Sequence, residues 1–156
     1  MEESMTINFS NLEKLSKKIN EASDELTKAL TCINEKLNSL NLGLEVWCSA
    51  PLDSEPESSQ NPDENEIPTE QIFYLGYGKL ADKWGILVRN ERWTDPSNYR
   101  DRERVCTIET SFLLSSSRAL RIKAINEIPA LISLLEEEGE SFTKSVSKAK
   151  ELADEL

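Results

Sequence analysis

The sequence predicts an α+β fold, in which long amphipathic helices at the N- and C-terminal ends pack on one face of an antiparallel four-stranded sheet. Apolar residues recur at alternating spacings of three and four near both ends of the chain, which is the period of a helix with one buried face. Four stretches between them alternate apolar and polar residues, as strands do. Because 156 residues suit one core, we expect residues 1–156 to form a single α+β domain in the order α-β-β-β-β-α.

The first predicted helix is bounded by two sequence signals. Ser10 and Glu13 have the spacing of a capping box, in which the serine oxygen accepts from a helix amide and the glutamate reaches back to the cap amide. Asn41 and Gly43 follow the last apolar position, where glycine readily adopts the left-handed conformation that ends helices. We expect the helix to run between these signals. Its apolar stripe contains Leu12, Leu15, Ile19, Ala22, Leu26, Ala29 and Ile33.

The second predicted helix follows three serines at residues 115–117, a residue type favoured at N-caps. Pro129 lacks an amide hydrogen, so we expect it to kink the helix or to start a fresh one after a shorter segment at residues 116–127. The apolar stripe of this helix contains Ile125, Ile128, Ile132, Leu135, Gly139, Phe142 and Val146.

The two apolar stripes can be buried in two ways. We expect first that the helices pack against each other in antiparallel orientation within one chain. The alternative is that one or both stripes face a second copy of the chain or another protein. The stripe residues are therefore candidates for core packing or for oligomer formation.

Strands are predicted at residues 44–50, 71–79, 84–93 and 104–112. Residues 80–83 read as the connection of a β-hairpin, and pairing of sequential neighbours gives a meander. The aromatic residues at strand positions are expected in the core between sheet and helices. They are Trp47, Phe73, Tyr74, Tyr77 and Trp84.

Two glycines in the second strand do not form a phosphate-binding loop. Gly76 and Gly78 lie inside the strand, on the same face as Ile72 and Tyr74, whereas a phosphate cradle needs glycines in a turn that leads into a helix. Glycine inside a strand indicates a bend or a place where a helix packs close.

The net charge of −11 is concentrated in one segment. Residues 52–70 contain seven acidic side chains, no basic ones and three prolines, which predicts a disordered acidic loop. Such a loop is a solvated insertion, an acidic tether for a basic partner, or a segment that occupies a basic groove of its own protein.

A basic and aromatic segment lies in and after the third predicted strand. Arginine can fork onto a carboxylate or phosphate and stack on an aromatic ring. This segment is either a salt-bridged loop, neutralised by the acids between its arginines, or a docking patch. The patch would take an acidic peptide, a weak nucleic-acid contact or the chain's own residues 52–70. The candidate partner-binding residues are Arg89, Arg92, Trp93, Tyr99, Arg100, Arg102 and Arg104.

Several chemistries are excluded by composition. The chain has no histidine, so Ser-His-Asp and Cys-His catalysis and histidine-ligated zinc are not possible. Cys32, Cys48 and Cys106 form no CxxC pair, which favours buried free thiols in a reducing compartment. We identify no pair of carboxylates arranged as catalytic acid and base, and we expect no cofactor or metal.

We therefore expect a non-enzymatic protein-binding module, such as an adaptor, a chaperone or an antitoxin-like partner, acting through an apolar helix or sheet face. Its partner is another protein or a second copy in a homodimer. One alternative is an acidic nucleic-acid mimic that inhibits a DNA-binding protein, and another is a histidine-free carboxylate or metal enzyme. Acidity disfavours nucleic-acid binding. The absence of a long apolar run or signal peptide favours a cytoplasmic protein without a membrane partner.

Overall fold

The computed structural model describes residues 7–57, 69–94 and 105–156, and within them it confirms the predicted α+β fold. Two helices flank an antiparallel sheet. The helices are α1 (Ser10–Ser39) and α2 (Arg118–Asp154), the second preceded by a 3₁₀ turn at Leu113–Ser115. The strands are β1 (Val46–Trp47), β2 (Asp53–Glu57), β3 (Thr69–Leu80), β4 (Lys83–Thr94) and β5 (Val105–Phe112).

The sheet has one more strand than predicted. In the described residues its order is β1-β3-β4-β5, the expected meander, and β2 also pairs with β3. Both β1 and β2 lie along the same edge of β3, one after the other. Pro51 cannot donate a backbone hydrogen bond, which interrupts the edge strand, and pairing resumes where the Leu52 amide donates to the Phe73 carbonyl at 2.7 Å.

The acidic segment differs from the predicted loop at both of its ends. Asp53–Glu57 forms β2, and the first residues of β3 lie within the predicted loop as well. Composition indicated disorder because the segment buries few side chains, but five consecutive residues pair with β3 through their backbones. An edge strand also tolerates proline and charged side chains. Residues 58–68 of the predicted loop lie outside the described residues.

The hairpin between β3 and β4 is confirmed, with a shorter turn than expected. Leu80 pairs with Lys83, so only Ala81 and Asp82 form the turn, with φ values of 50° and 63°. Two positive φ values define a type I′ turn, whose twist matches that of the flanking strands. Asparagine and glycine adopt this conformation more easily than alanine and aspartate.

The double substitution Ala81→Asn with Asp82→Gly is therefore expected to raise the free energy of unfolding by about 1 kcal/mol. Urea denaturation followed by circular dichroism measures the change. Ala81→Val is the control: it should lower the free energy of unfolding, because a β-branched residue is strained at positive φ. A stabilising Ala81→Val substitution would contradict the turn geometry.

Both helices pack on one face of the sheet, as predicted. That face carries Leu75, Tyr77, Ile86 and Val88 from the two central strands. The fully buried residues of the core that the helices contribute are Leu30 and Leu37 of α1 and Ala124, Ile128, Leu131 and Leu135 of α2.

Two asparagines of α1 bind the edge of β4 where it has no partner strand. Pairing of β4 with β5 begins only at Leu87. Before that point, Asn34 Oδ1 accepts from the Ile86 amide at 2.8 Å and Asn38 Nδ2 donates to the Trp84 carbonyl at 3.0 Å. Asn38 Oδ1 also accepts from the Tyr77 hydroxyl at 2.8 Å. The side chains thus satisfy backbone groups that a strand would otherwise pair.

Helix α2 has its own polar contact with the other edge of the sheet. Lys123 Nζ lies 2.7 Å from Asp53 Oδ2 in β2. The hydrogen bond from Lys123 lowers the pKa of the Asp53 carboxyl below its ordinary value. Polar contacts thus tie α1 to the unpaired end of β4 and α2 to the edge strand β2.

The helices do not form the expected antiparallel seam. Arg118 at the start of α2 donates to Asn20, and Arg121 donates to Thr27. Further along both segments, Leu44, just beyond α1, lies beside Gly139. These contacts follow the same chain direction in both helices. Contacts of each helix with the sheet, rather than a heptad seam between the helices, set their orientation.

Three predicted helix signals have different outcomes. Ser10 is not an N-cap: α1 already includes Ser10, and the Asn8 side chain accepts from the Ser10 amide at 3.0 Å. Ser117 is the N-cap of α2 and accepts from the Leu120 amide, as predicted. Pro129 does not start a fresh helix, because α2 continues through it. Burial of apolar residues on both sides of Pro129 offsets the lost hydrogen bond.

Asn41 and Gly43 both have positive φ, at 54° and 63°. The left-handed conformation thus begins at the asparagine, two residues after the end of α1, and recurs at the predicted glycine. Asparagine tolerates this region because its side chain is short and polar.

Candidate partner-binding surfaces

The sheet face turned away from the helices carries a group of aromatic, aliphatic and paired charged side chains. None of these side chains belongs to the core cluster that the helices share with the sheet; all are half-buried except one isoleucine of β5, which is exposed. Strand register brings its members together, because residues opposite each other on paired strands share a face. We call this group the open-face cluster, and it consists of Trp47, Ile72, Tyr74, Arg89, Glu91, Trp93 and Ile108.

Arg89 lies at the centre of the open-face cluster. Its guanidinium carbon is 4.7 Å from the centroid of the Trp47 ring and 5.1 Å from that of Tyr74. Its Nε lies 3.3 Å from Glu91 Oε1, and Trp93 Nε1 donates to Glu91 Oε2 at 3.3 Å. The arginine charge is therefore compensated within the cluster, and the rings are held in place by cation–π contacts and hydrogen bonds.

Gly76 allows Trp47 to lie flat against β3. A Cβ atom added at Gly76 would overlap the Trp47 ring. The predicted close approach at this glycine is therefore real, and the approaching element is the tryptophan of β1 rather than a helix.

The structure separates the predicted arginine patch. Arg89 and Trp93 belong to the open-face cluster, whereas Arg92 lies on the opposite face, between Gln71 and Thr107 of the neighbouring strands. Neighbouring strand residues point to opposite faces, so one patch could not include all three. The remaining predicted residues, Tyr99, Arg100, Arg102 and Arg104, lie outside the described residues.

Two aromatic residues of the cluster were expected in the core instead. Trp47 and Tyr74 face away from the helices, while Phe73, Tyr77 and Trp84 face toward them. Adjacent residues Phe73 and Tyr74 cannot share a face. Gly76, two residues after Tyr74, was the signal that a large side chain crosses the strand on that face.

Further candidate surfaces are the exposed N-terminal part of α1 and the exposed C-terminal part of α2, which lie at opposite ends of the helix pair because the two helices run in the same direction. Every residue from 10 to 22 of α1 and from 140 to 154 of α2 is exposed. Leu12 is 59% exposed, Leu15 50%, Ile19 42% and Phe142 61%. These exposed apolar side chains are candidates for contact with another molecule.

The predicted stripe residues divide between core and solvent. Leu26, Ile33, Ile125, Ile128 and Leu135 pack in or against the core. Leu12, Leu15, Ile19, Ile132, Phe142 and Val146 are exposed.

The cysteines are free, but they differ in accessibility. Cys48 is buried, Cys106 is half-buried and Cys32 is exposed, so the expectation of buried thiols is wrong for Cys32, which lies on the outer side of α1. Burial raises the pKa of the Cys48 and Cys106 thiols, which lowers the fraction present as the nucleophilic thiolate.

A cleft of about 570 Å³ lies between α1 and the start of β4. Its two amide side chains, Asn34 and Asn38, are already bonded to β4. Within the described ranges, no three histidine, cysteine, aspartate or glutamate side chains are grouped as metal ligands. In the same ranges, neither helix is long and apolar enough to cross a bilayer.

No protein-family model matches the chain, and no curated protein or solved structure matches it.

Proposed function

We propose that this chain is a non-enzymatic protein-binding module that binds another protein through the open-face cluster. The observation that carries the proposal is the stack of Trp47 and Tyr74 on Arg89, outside the core cluster between the helices and the sheet. Tryptophan, tyrosine and arginine dominate the energetics of protein interfaces. Three cysteines without a disulfide support a cytoplasmic location for this module.

The geometry of the cluster favours binding by reducing its entropic cost. Arg89 and Glu91 hold each other and fix the adjacent rings, so little side-chain freedom remains to be lost when a partner binds. Ile108, which is exposed, extends the cluster onto β5. The surface therefore offers rigid aromatic anchors next to an accessible aliphatic side chain.

The chemistry of the partner follows from the pairing of Arg89 with Glu91. Because the arginine charge is already compensated, the cluster suits an apolar segment of a folded protein better than an acidic peptide. Binding of this kind persists at raised ionic strength, whereas binding through exposed charges weakens.

Capture of partners from a lysate of the source cells, with the full chain as bait, tests the proposal. Ile108→Glu places a charge on the open face, and we expect it to reduce capture of the partner about 10-fold or more. Ile122→Glu is the matched control, because Ile122 is a similarly exposed isoleucine of α2. It should leave capture unchanged at low and at raised salt.

Equal capture by the two variants would contradict the assignment of the surface. Capture that disappears for the unmodified chain at raised salt would instead favour the acidic nucleic-acid mimic.

A further inference from the structure

We propose that two copies of this chain form a symmetric dimer in which the N-terminal part of α1 pairs antiparallel with α1 of the second copy. The occupant of the exposed α1 stripe is thus the same stripe of another molecule. This surface is separate from the open-face cluster, so the dimer does not depend on the proposed function.

The apolar stripe of α1 is complementary to itself in one antiparallel register. When Ile19 of one copy is placed opposite Ala22 of the other, Leu15 falls opposite Leu26, and Leu12 falls opposite Ala29. These three layers occur twice because the pair is two-fold symmetric. Two of the three combine a large residue with a small one, which allows the helices to approach closely. The register covers Leu12, Leu15 and Ile19, the exposed apolar residues that the protein's own core leaves open.

The face of α1 that would contact the second copy is accessible in the structure. Ala22 and Ala29 are exposed, and Leu26 is half-buried. The buried residues of α1, Leu30 and Leu37, lie about five helical turns after Leu12 and Ile19, at the edge of the stripe that faces the core. Ala22 and Ala29 lie at the other edge of the stripe, which is exposed, so a second helix can lie along that edge beside the core.

The charges beside the stripe select this arrangement. Lys18 and Glu25 both precede a stripe residue by one position, and both are exposed. In the antiparallel register, Lys18 of each copy lies beside Glu25 of the other, which gives two opposite-charge pairs. Charges at these flanking positions set partner and orientation in helix pairs.

Other pairings of the exposed helices lack this match. In a parallel pair of α1 helices, Glu25 would be directed toward Leu30 of the other copy, which is buried. The end of α2 could also pair antiparallel with α1, in the register that aligns Ile19 with Ala149. Lys18 would then lie against Leu152 and Glu25 against Ser145, so neither charge would meet an opposite one. Of these three pairings, antiparallel self-pairing of α1 is the one in which apolar residues face each other along the stripe and opposite charges meet beside it.

Sedimentation equilibrium of the full chain between about 1 and 500 μM tests the dimer, since interfaces at the small end of the usual range give micromolar affinities. We expect concentration-dependent dimerisation. Lys18→Glu and Glu25→Lys should each raise the dimer dissociation constant about 10-fold or more, because each creates two like-charge contacts. The double variant should restore the affinity of the unmodified chain.

A mixture of the two single variants provides a second readout. Lys18→Glu chains and Glu25→Lys chains should form mixed dimers in preference to either homodimer, since each mixed pair again joins opposite charges. Lys17→Glu is the matched control: it changes net charge as Lys18→Glu does, but it lies on the outer side of α1 and should leave the dissociation constant unchanged.

The proposal would be overturned if the chain were monomeric at all concentrations. It would also be overturned if the double variant dimerised as weakly as the single variants. Equal weakening by Lys17→Glu and Lys18→Glu would also overturn it, because net charge rather than pairing would then explain the effect. Capture of another protein through Ile108 is unaffected by any of these results.

Discussion

Replacement of Leu131 by alanine is expected to lower the free energy of unfolding by about 3 kcal/mol. Leu131 is 0% exposed and belongs to the core cluster between α2 and the sheet. Its removal leaves a cavity in a cluster whose side chains are anchored on β1, β3, β4 and both helices, so the site cannot collapse fully. Urea denaturation followed by circular dichroism measures the loss.

The neighbouring residue provides the control. Ile132 is 37% exposed in the structure, although the heptad pattern predicts it, and not Leu131, as the stripe position. Ile132→Ala should cost clearly less, about 1 kcal/mol, because more than a third of the Ile132 surface already contacts water and the removed atoms leave no closed cavity. A larger loss for Ile132→Ala than for Leu131→Ala would mean that α2 is rotated from the orientation described.

The substitution Gly76→Ala is expected to lower the free energy of unfolding by about 2 kcal/mol, as overpacking does. The new Cβ atom would overlap the Trp47 ring, so the ring must move away from β3 and from the Arg89 guanidinium. Thermal denaturation gives the loss of stability, and tryptophan fluorescence reports the displaced ring.

A double-mutant cycle isolates the cause. In a Trp47→Ala background the overlap no longer exists, and Gly76→Ala should become neutral or slightly stabilising, because alanine loses less backbone entropy than glycine on folding. If Gly76→Ala lowered the free energy of unfolding equally with Trp47 and with Ala at position 47, Gly76 would be needed for its backbone conformation and not for space beside the ring.

The fold class was accessible from the sequence because side-chain periodicity directly reports which residues of an element are buried. The spacing of three and four from Leu12 to Ile33 and from Ile125 to Val146 located both helices. The alternation around residues 71–79 and 84–93 located the central hairpin. These signals persist because packing of the helices on one sheet face requires them.

Strand β2 and the helix orientation were not accessible in this way. Asp53–Glu57 is held by backbone pairing with β3. Because backbone hydrogen bonds do not depend on the side chains, they require no alternation of apolar and polar residues in this segment of charged residues and proline. The orientation of α1 depends on Asn34 and Asn38, whose amides bind the free edge of β4. Nothing in the local sequence identifies those residues as contacts with a strand about fifty positions away.

The candidate site was only partly predictable for a related reason. Arg89 and Trp93 were identified because arginine and aromatic residues lie close together in the chain. Trp47 and Tyr74 come from other strands, and their position around Arg89 depends on the register of β1, β3 and β4. Neutralisation of the arginines by the acids between them was one of the sequence alternatives, and the pairing of Arg89 with Glu91 is an instance of it.

Chemical footprinting of the chain with and without its captured partner tests the central claim most directly. If the open-face cluster binds the partner, labelling of Trp47, Tyr74 and Trp93 should decrease in the complex, while labelling of Phe142 at the exposed end of α2 should not change. Protection confined to the helix ends, with the labelling of those three aromatic residues unchanged, would contradict the claim.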